Sequence, residues 1–228
     1  MTAGTLAEIL RESRAILLDF DGPVCDVFAG LPAPVVAARL KQLLQDEGVE
    51  LPQDVVVLDD PLKVLRRTVV FAPDLVDKME TLFVGYEVEA VNRAEITPGA
   101  RELLDACAET GRPVVIVSNN SERAIEAFLD LAELRERVAG VVGRPIGNPA
   151  EMKPDPRLVL RACELVDARP EATVLIGDSD FDMQAAANAG ARSIAYANKP
   201  GKETRLVQAG ADAVTRSMQE LAGIVRAS

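Results

Sequence analysis

The chain has 228 residues, of which 48% are apolar and 27% charged, with a formal net charge of −11 and no histidine. That length allows one large domain, or a domain with a smaller insert, around a packed core. The acidic balance excludes a surface built to grip a nucleic-acid backbone, and the missing histidine excludes Ser-His-Asp and Cys-His mechanisms and imidazole-bound metals.

In chain order, Thr2–Arg14 reads as a short amphipathic helix with Leu6, Ile9 and Leu10 on one side. Ala15–Leu18 is an unbroken apolar run, as in a strand buried on both faces of a parallel sheet, and it ends in Asp19-Phe20-Asp21-Gly22. From 27 to 95 the strand signal disappears. Helical spacing covers Val35–Leu44 with Gly48 as its stop, then Leu62–Val70, then Asp74–Val91 with Leu75, Met79, Leu82 and Phe83 on one face. Pro32, Pro34, Pro52, Pro61 and Pro73 punctuate these segments.

The α/β rhythm resumes with a helix from Pro98 to Thr110, stopped by Gly111. Pro113–Val117 is the next buried strand, ending in Ser118-Asn119-Asn120-Ser121; a helix over Glu122–Leu131 and a weak strand at Val138–Val142 follow. The loop Gly143–Ala150 delivers Lys153, and Pro156–Val166 is helical. Ala172–Ile176 is a strand ending in Gly177-Asp178-Ser179-Asp180-Phe181-Asp182, and Met183–Ala189 is a small-residue helix closed by Gly190. A strand at Ser193–Ala197 and helices at Glu203–Gln208 and Ser217–Arg226 finish the chain. Strands alternating with helices predict an α/β fold with a doubly wound parallel sheet. The expected division is an α/β core over 1–26 and 96–228 carrying a helical insert at 27–95.

Four polar points fall at predicted carboxyl ends of strands, or on the loop leading from one: Asp19 with Asp21, Ser118, Lys153, and Asp178 with Asp182. Ligand crevices of open α/β sheets lie at those ends. Two acids two residues apart there can converge on one point, and Gly22 lets the backbone turn behind them. A calcium loop is set aside, because the twelfth position counted from Asp19 is Gly30 rather than a bidentate Glu. Each point also has a plainer reading. A lysine before proline is ordinarily solvated, Ser118-Asn119 and Asp182 are ordinary helix-capping residues, and Cys25 is a small apolar residue. The three cysteines, Cys25, Cys107 and Cys163, indicate neither a disulfide framework nor a zinc site.

In register, these four points resemble the motifs of the haloacid-dehalogenase superfamily of aspartyl phosphotransferases, and within it the capped phosphoglycolate-phosphatase-like branch. Asp19-Phe20-Asp21-Gly22 is similar to its first motif, Ser118-Asn119 to its second, Lys153-Pro154 to its third and Gly177-Asp178-Ser179-x-x-Asp182 to its fourth. Thr97-Pro98-Gly99 resembles the family's return from cap to core, and the resemblance runs over residues 15–216. It implies a Rossmann-like core with an inserted helical cap. It also implies Asp19 as nucleophile, Asp21 as general acid and base, and Lys153 as the group that positions Asp19. Ser118, Asn119 and Gly22 are then substrate contacts. By the same resemblance, Mg²⁺ would be held by Asp19, Asp178 and the backbone carbonyl of Asp21, with Asp182 behind them. The family usually has Thr where this chain has Pro23, which lacks an N–H and fixes φ.

Charge counting supports a cation without the family. Asp19, Asp178, Asp182 and a phosphate dianion bring about −5 into one crevice, against a single positive charge on Lys153. Like charges about 4 Å apart cost roughly 4 kcal/mol at an effective dielectric near 20, and all-oxygen ligands favour Mg²⁺. Asp21 has the opposite need: half-protonation near pH 7 takes about 3 pKa units, or roughly 4 kcal/mol, of bias. The expected activity is Mg²⁺-dependent hydrolysis of a small phosphomonoester through an aspartyl phosphate. The alternatives are a phosphomutase of the same fold and a catalytically idle phosphate-binding protein. Lys63, Arg66 and Arg67 are candidate substrate contacts from the insert. The expected partner is a small phosphorylated metabolite, with no nucleic acid or membrane, in a cytoplasmic monomer or homodimer.

Overall fold

A computed structural model describes residues 5–228; residues 2–4 of the helix predicted over Thr2–Arg14 lie outside the described residues. The apolar runs become six parallel strands: β1 (Ala15–Leu18), β2 (Val114–Val117), β3 (Gly140–Val142), β4 (Thr173–Gly177), β5 (Arg192–Tyr196) and β6 (Ala213–Thr215). The helices are α1 (Leu6–Glu12), α2 (Ala33–Asp46), α3 (Gln53–Val56), α4 (Pro61–Phe71), α5 (Val76–Val91), α6 (Ala100–Glu109), α7 (Glu122–Leu131), α8 (Arg157–Leu165), α9 (Asp180–Ala189), α10 (Lys202–Gln208) and α11 (Met218–Arg226).

The strand order is β3-β2-β1-β4-β5-β6. β1 is central, with Leu17 in register with Val115 on one side and Leu175 on the other. Successive side chains point to opposite faces, so both faces of β1 need cover. Ile16 and Leu18 join the cluster formed with α1, α6, α7 and α11, through Leu10, Leu104, Phe128 and Leu221. Leu17 joins Val115, Val117, Leu158 and Ala185 beneath α8 and α9. Because the chain winds outward in opposite directions from β1 and β4, a crevice opens between their carboxyl ends.

Helices α2 to α5 lie between β1 and α6 in the chain, and their apolar residues continue the first cluster without a break, from Phe20 and Val24 to Leu40, Leu65 and Phe83. The outgoing and returning chains are stitched together. Cys25 bridges Ile96 in antiparallel fashion, the Thr97 amide donates to the Val24 carbonyl at 2.8 Å, and Thr97 Oγ1 donates to the Gly22 carbonyl at 2.6 Å.

Several local expectations shift. Pro98 precedes its helix rather than opening it, because Gly99 takes the N-cap with φ of 86°. Helix α9 begins at Asp180, three residues before Met183, since Ser179 and Asp182 form a capping box. The buried face of α5 carries Val76, Met79, Glu80, Phe83 and Glu87, leaving Leu75 and Leu82 only half-buried. Strand β6 and helix α3 had no sequence expectation.

Candidate active site

Asp19 follows the last residue of β1, and its amide donates to the Ile176 carbonyl of β4 at 2.9 Å. The sheet therefore fixes this residue at the switch point. Its carboxylate is buried and accepts from the Phe20 amide at 2.8 Å. Lys153 arrives from the loop beyond β3, and all three ammonium donors are used: on Asp19 Oδ1 at 2.8 Å, on the Val117 carbonyl at 2.8 Å and on Asp182 Oδ1 at 2.5 Å. A lysine only 2% exposed survives burial because two carboxylates and a carbonyl surround it; they hold its pKa above the ordinary value although burial alone would lower it.

Asp178 follows β4 and is half-buried. Its Oδ2 accepts from Asn198 Nδ2 at 3.2 Å and from Lys202 Nζ. Asp182 is fully buried in the first turn of α9, and its Oδ2 accepts from the Ser179 amide and hydroxyl at 3.0 and 2.5 Å. Asp182 thus caps its helix and pairs with Lys153 at once. Two glycines make room. A Cβ on Gly22, whose φ is 100°, would lie 2.5 Å from Asp178 Oδ2, and one on Gly177 would lie 2.3 Å from Asp182 Cγ.

Oxygens of Asp19, Asp178 and Asp182 lie within 4.8 Å of one another. Burial, then the Asp182 charge, pushes Asp19 up to about 8, with Lys153 working against them. So many carboxylates in one buried spot disfavour their own ionisation, and a hard divalent cation fits the set both in charge and in ligand type.

Asp21 is half-buried, and its Oδ1 accepts from the Val27 amide at 2.9 Å. Burial pushes its carboxyl up to about 7, with the Val27 amide lowering it and the charges of Asp178 and Asp26 adding to the rise. Desolvation, rather than neighbouring charge, is the main source of the bias that acid–base work at neutral pH requires.

Ser118 is buried beyond β2, donating to Asn120 Oδ1 at 3.1 Å and accepting from the Asn120 amide at 3.2 Å. Two of the expected substrate contacts also make bonds within the protein. The Asn119 amide clamps the Lys153 backbone, Oδ1 accepting from its N–H at 2.8 Å and Nδ2 donating to its carbonyl at 3.1 Å. The Gly22 amide donates to the Cys25 carbonyl at 2.7 Å, and its carbonyl accepts from Thr97. The missing side chain at Gly22 leaves room for the close approach of Asp178.

Asp19, Asp21, Ser118, Asn119, Lys153 and Asp178 line one crevice of about 500 Å³, whose other wall comes from the insert through Phe28, Asp60, Lys63 and Arg66. Arg66 lies with its guanidinium 5.1 Å from the centre of the Phe181 ring and donates to the Lys153 carbonyl. Lys63 also lines the crevice, 3.7 Å from Asp60. Arg67 turns away to Asp54 at 2.7 Å. Sequence reasoning missed Lys202 and Asn198; the stretch Asn198-Lys199-Pro200-Gly201-Lys202, beyond a predicted strand end, was the signal available.

A family model described as haloacid dehalogenase-like hydrolase matches residues 13–190. A phosphoglycolate phosphatase of Nitrosospira multiformis is 27% identical over 228 residues, covering 94% of this chain and 96% of that protein. A putative pyrophosphatase of Caldanaerobacter subterraneus is 27% identical over 79% of this chain and 80% of its own length. The crystal structure of CbbY from Rhodobacter sphaeroides in complex with phosphate superposes with a TM-score of 0.68, covering 92% of this chain and 96% of that one, at 21% identity. At that identity the likeness concerns the fold.

Proposed function

The chain belongs to the haloacid dehalogenase-like hydrolases, in the phosphoglycolate-phosphatase-like branch, and we propose that it hydrolyses a small phosphomonoester through a phosphoryl group carried on Asp19. The observation that carries the reading is the meeting of Asp19, Lys153 and Asp178, from three separate stretches of chain, on the wall of one crevice, with Asp182 buried behind them. Asp19 attacks phosphorus while Asp21 gives its proton to the departing alcohol. Asp21, now ionised, takes a proton from water, and the hydroxide attacks phosphorus, freeing phosphate and restoring Asp19. Asp21 holds its proton near neutral pH because it is desolvated, and Lys153 keeps the Asp19 oxygen aimed.

Asp19 and Asp178, with the backbone carbonyl of Asp21, are the residues proposed to hold Mg²⁺, with Asp182 behind them. Bound there, the ion supplies positive charge for the phosphoryl oxygens. Asn198 and Lys202 both engage Oδ2 of Asp178 and so fix the orientation of that carboxylate.

The test is turnover of p-nitrophenyl phosphate, phosphoglycolate, pyrophosphate and a panel of sugar and small-acid phosphates. Activity is expected with Mg²⁺ and not after chelation. Asp19→Asn should abolish it, and Asp21→Asn should lower kcat by about 10²–10⁴-fold. Quenched wild-type enzyme should carry one PO₃ group on the Asp19 peptide. Wild type without Mg²⁺-dependent turnover of any member would reject the hydrolase reading in favour of a binding protein.

A further inference from the structure

Between α5 and the loop beyond β3 lies a fully buried ion cluster outside the catalytic crevice. Arg144 is 2% exposed and Glu80 and Glu87 are 0%. Arg144 Nε donates to Glu80 Oε2 at 2.9 Å, Nη1 to Glu87 Oε1 at 2.9 Å and Nη2 to Glu87 Oε2 at 3.0 Å, the last two forming a bidentate fork. Its guanidinium sits 4.5 Å from the centre of the Phe83 ring. Nη1 also donates to the Asn119 carbonyl at 2.9 Å. Glu87 reaches the same loop, accepting from Asn120 Nδ2 at 3.0 Å and from the Ser121 amide at 3.3 Å.

One acid of the insert, Glu87, and one arginine of the core thus converge on the backbone and side chains of residues 119–121, while Glu80 reaches only the arginine. From there the bonds run on to the catalytic groups. Asn120 holds the Ser118 hydroxyl, and Asn119 clamps the backbone of Lys153, whose ammonium holds Asp19. A buried ion cluster is a weak source of stability, because desolvation offsets the attraction. What it supplies is fixed geometry.

We propose that Glu87 and Arg144 are positioning residues for the phosphoryl-binding loop, setting Ser118 and, through Asn119, Lys153 in their working places. The inference rests on the phosphatase reading above. Glu80 is the internal control: it touches the same arginine, is equally buried and lies on the same helix face, yet makes no bond to residues 118–121. A purely structural cluster would respond alike to Glu80→Gln and Glu87→Gln. A positioning cluster would not.

The experiment compares wild type, Glu80→Gln, Glu87→Gln and Arg144→Lys in kcat, KM and amide hydrogen exchange of residues 118–121. Arg144→Lys keeps the charge but cannot form the fork. Glu87→Gln and Arg144→Lys are expected to lose kcat by about ten- to a hundredfold with little change in KM, and to exchange faster at Ser121. Glu80→Gln should stay within about twofold of wild type in kcat, a smaller change than a misplaced reacting group produces. Equal kcat in the two Gln variants would overturn the proposal. So would a loss that only tracks the folded fraction. If no variant folds, wild type still decides: slow exchange of the Ser121 amide, comparable to that of β2, supports the clamp, and fast exchange rejects it. A wild type with no phosphatase activity but a protected Ser121 amide would reject the enzymatic reading and leave the clamp standing.

Discussion

Glu80 Oε2 lies on Arg144, while Oε1 is buried with no hydrogen-bond partner. Arg144 is shared with Glu87, so the cluster holds more acid than base. Burial raises the Glu80 carboxyl above its ordinary value of 4.5, Arg144 works against the rise, and the charges of Glu87 and Asp77 add to it. The folded protein therefore keeps a proton that the unfolded chain has released, and stability falls as pH rises from 4.5 through the raised value. Glu80→Gln removes this dependence. Urea midpoints of wild type relative to the variant are expected to drop steadily over that window; a constant difference would disprove it. Of the proposed site residues, Asp19, Asp21 and Asp178 were legible because each follows a strand end within a recognisable short motif, and Lys153 because Lys-Pro falls in register with them on the loop beyond β3. Arg144 was not, since its partners lie 64 and 57 residues away and an isolated arginine in a Gly/Pro-rich loop reads as solvated. One signal was available: Glu80 and Glu87 are seven residues apart, on the helix face that also carries Phe83.

At the level of elements, the turn after β1 is a tightly constrained piece of backbone beside the crevice. Gly22 adopts φ of 100°, and a Cβ there would meet Asp178 Oδ2 at 2.5 Å. Gly22→Ala should cost about 1–3 kcal/mol from backbone strain and push Asp178 out of place. The expected outcome is a lower melting temperature together with a higher Mg²⁺ concentration for half-maximal activity. Wild-type behaviour in both would show that the turn relaxes freely. The strands β1, β2, β4 and β5 were legible because runs such as Val114–Val117 are apolar on both faces. Strand β6 was not: Ala213-Val214-Thr215 is three residues long, half-buried for most of its length, and becomes a strand only by pairing with Ile194–Tyr196. The start of α9 moved for a similar reason, since Asp180 and Asp182 look like loop acids until Ser179 caps the helix.

For the whole molecule, the central feature is how the insert is held. The chain leaving the core and the chain re-entering it are joined at the Cys25–Ile96 bridge, and the insert is bolted to the core by the salt bridges from Glu80 and Glu87 to Arg144. The edge over the crevice is tied as well, where Arg66 of α4 reaches the Lys153 carbonyl and the Phe181 ring. A crevice of about 500 Å³ walled on one side by a fastened insert should admit compact molecules and turn away a phosphate borne on a bulky chain. Free phosphoserine should therefore be hydrolysed far faster than the same group within a folded phosphoprotein, under identical assay conditions; equal rates would mean that edge opens wide. Size exclusion here would owe nothing to the chemistry of the crevice and everything to where the bolts are set.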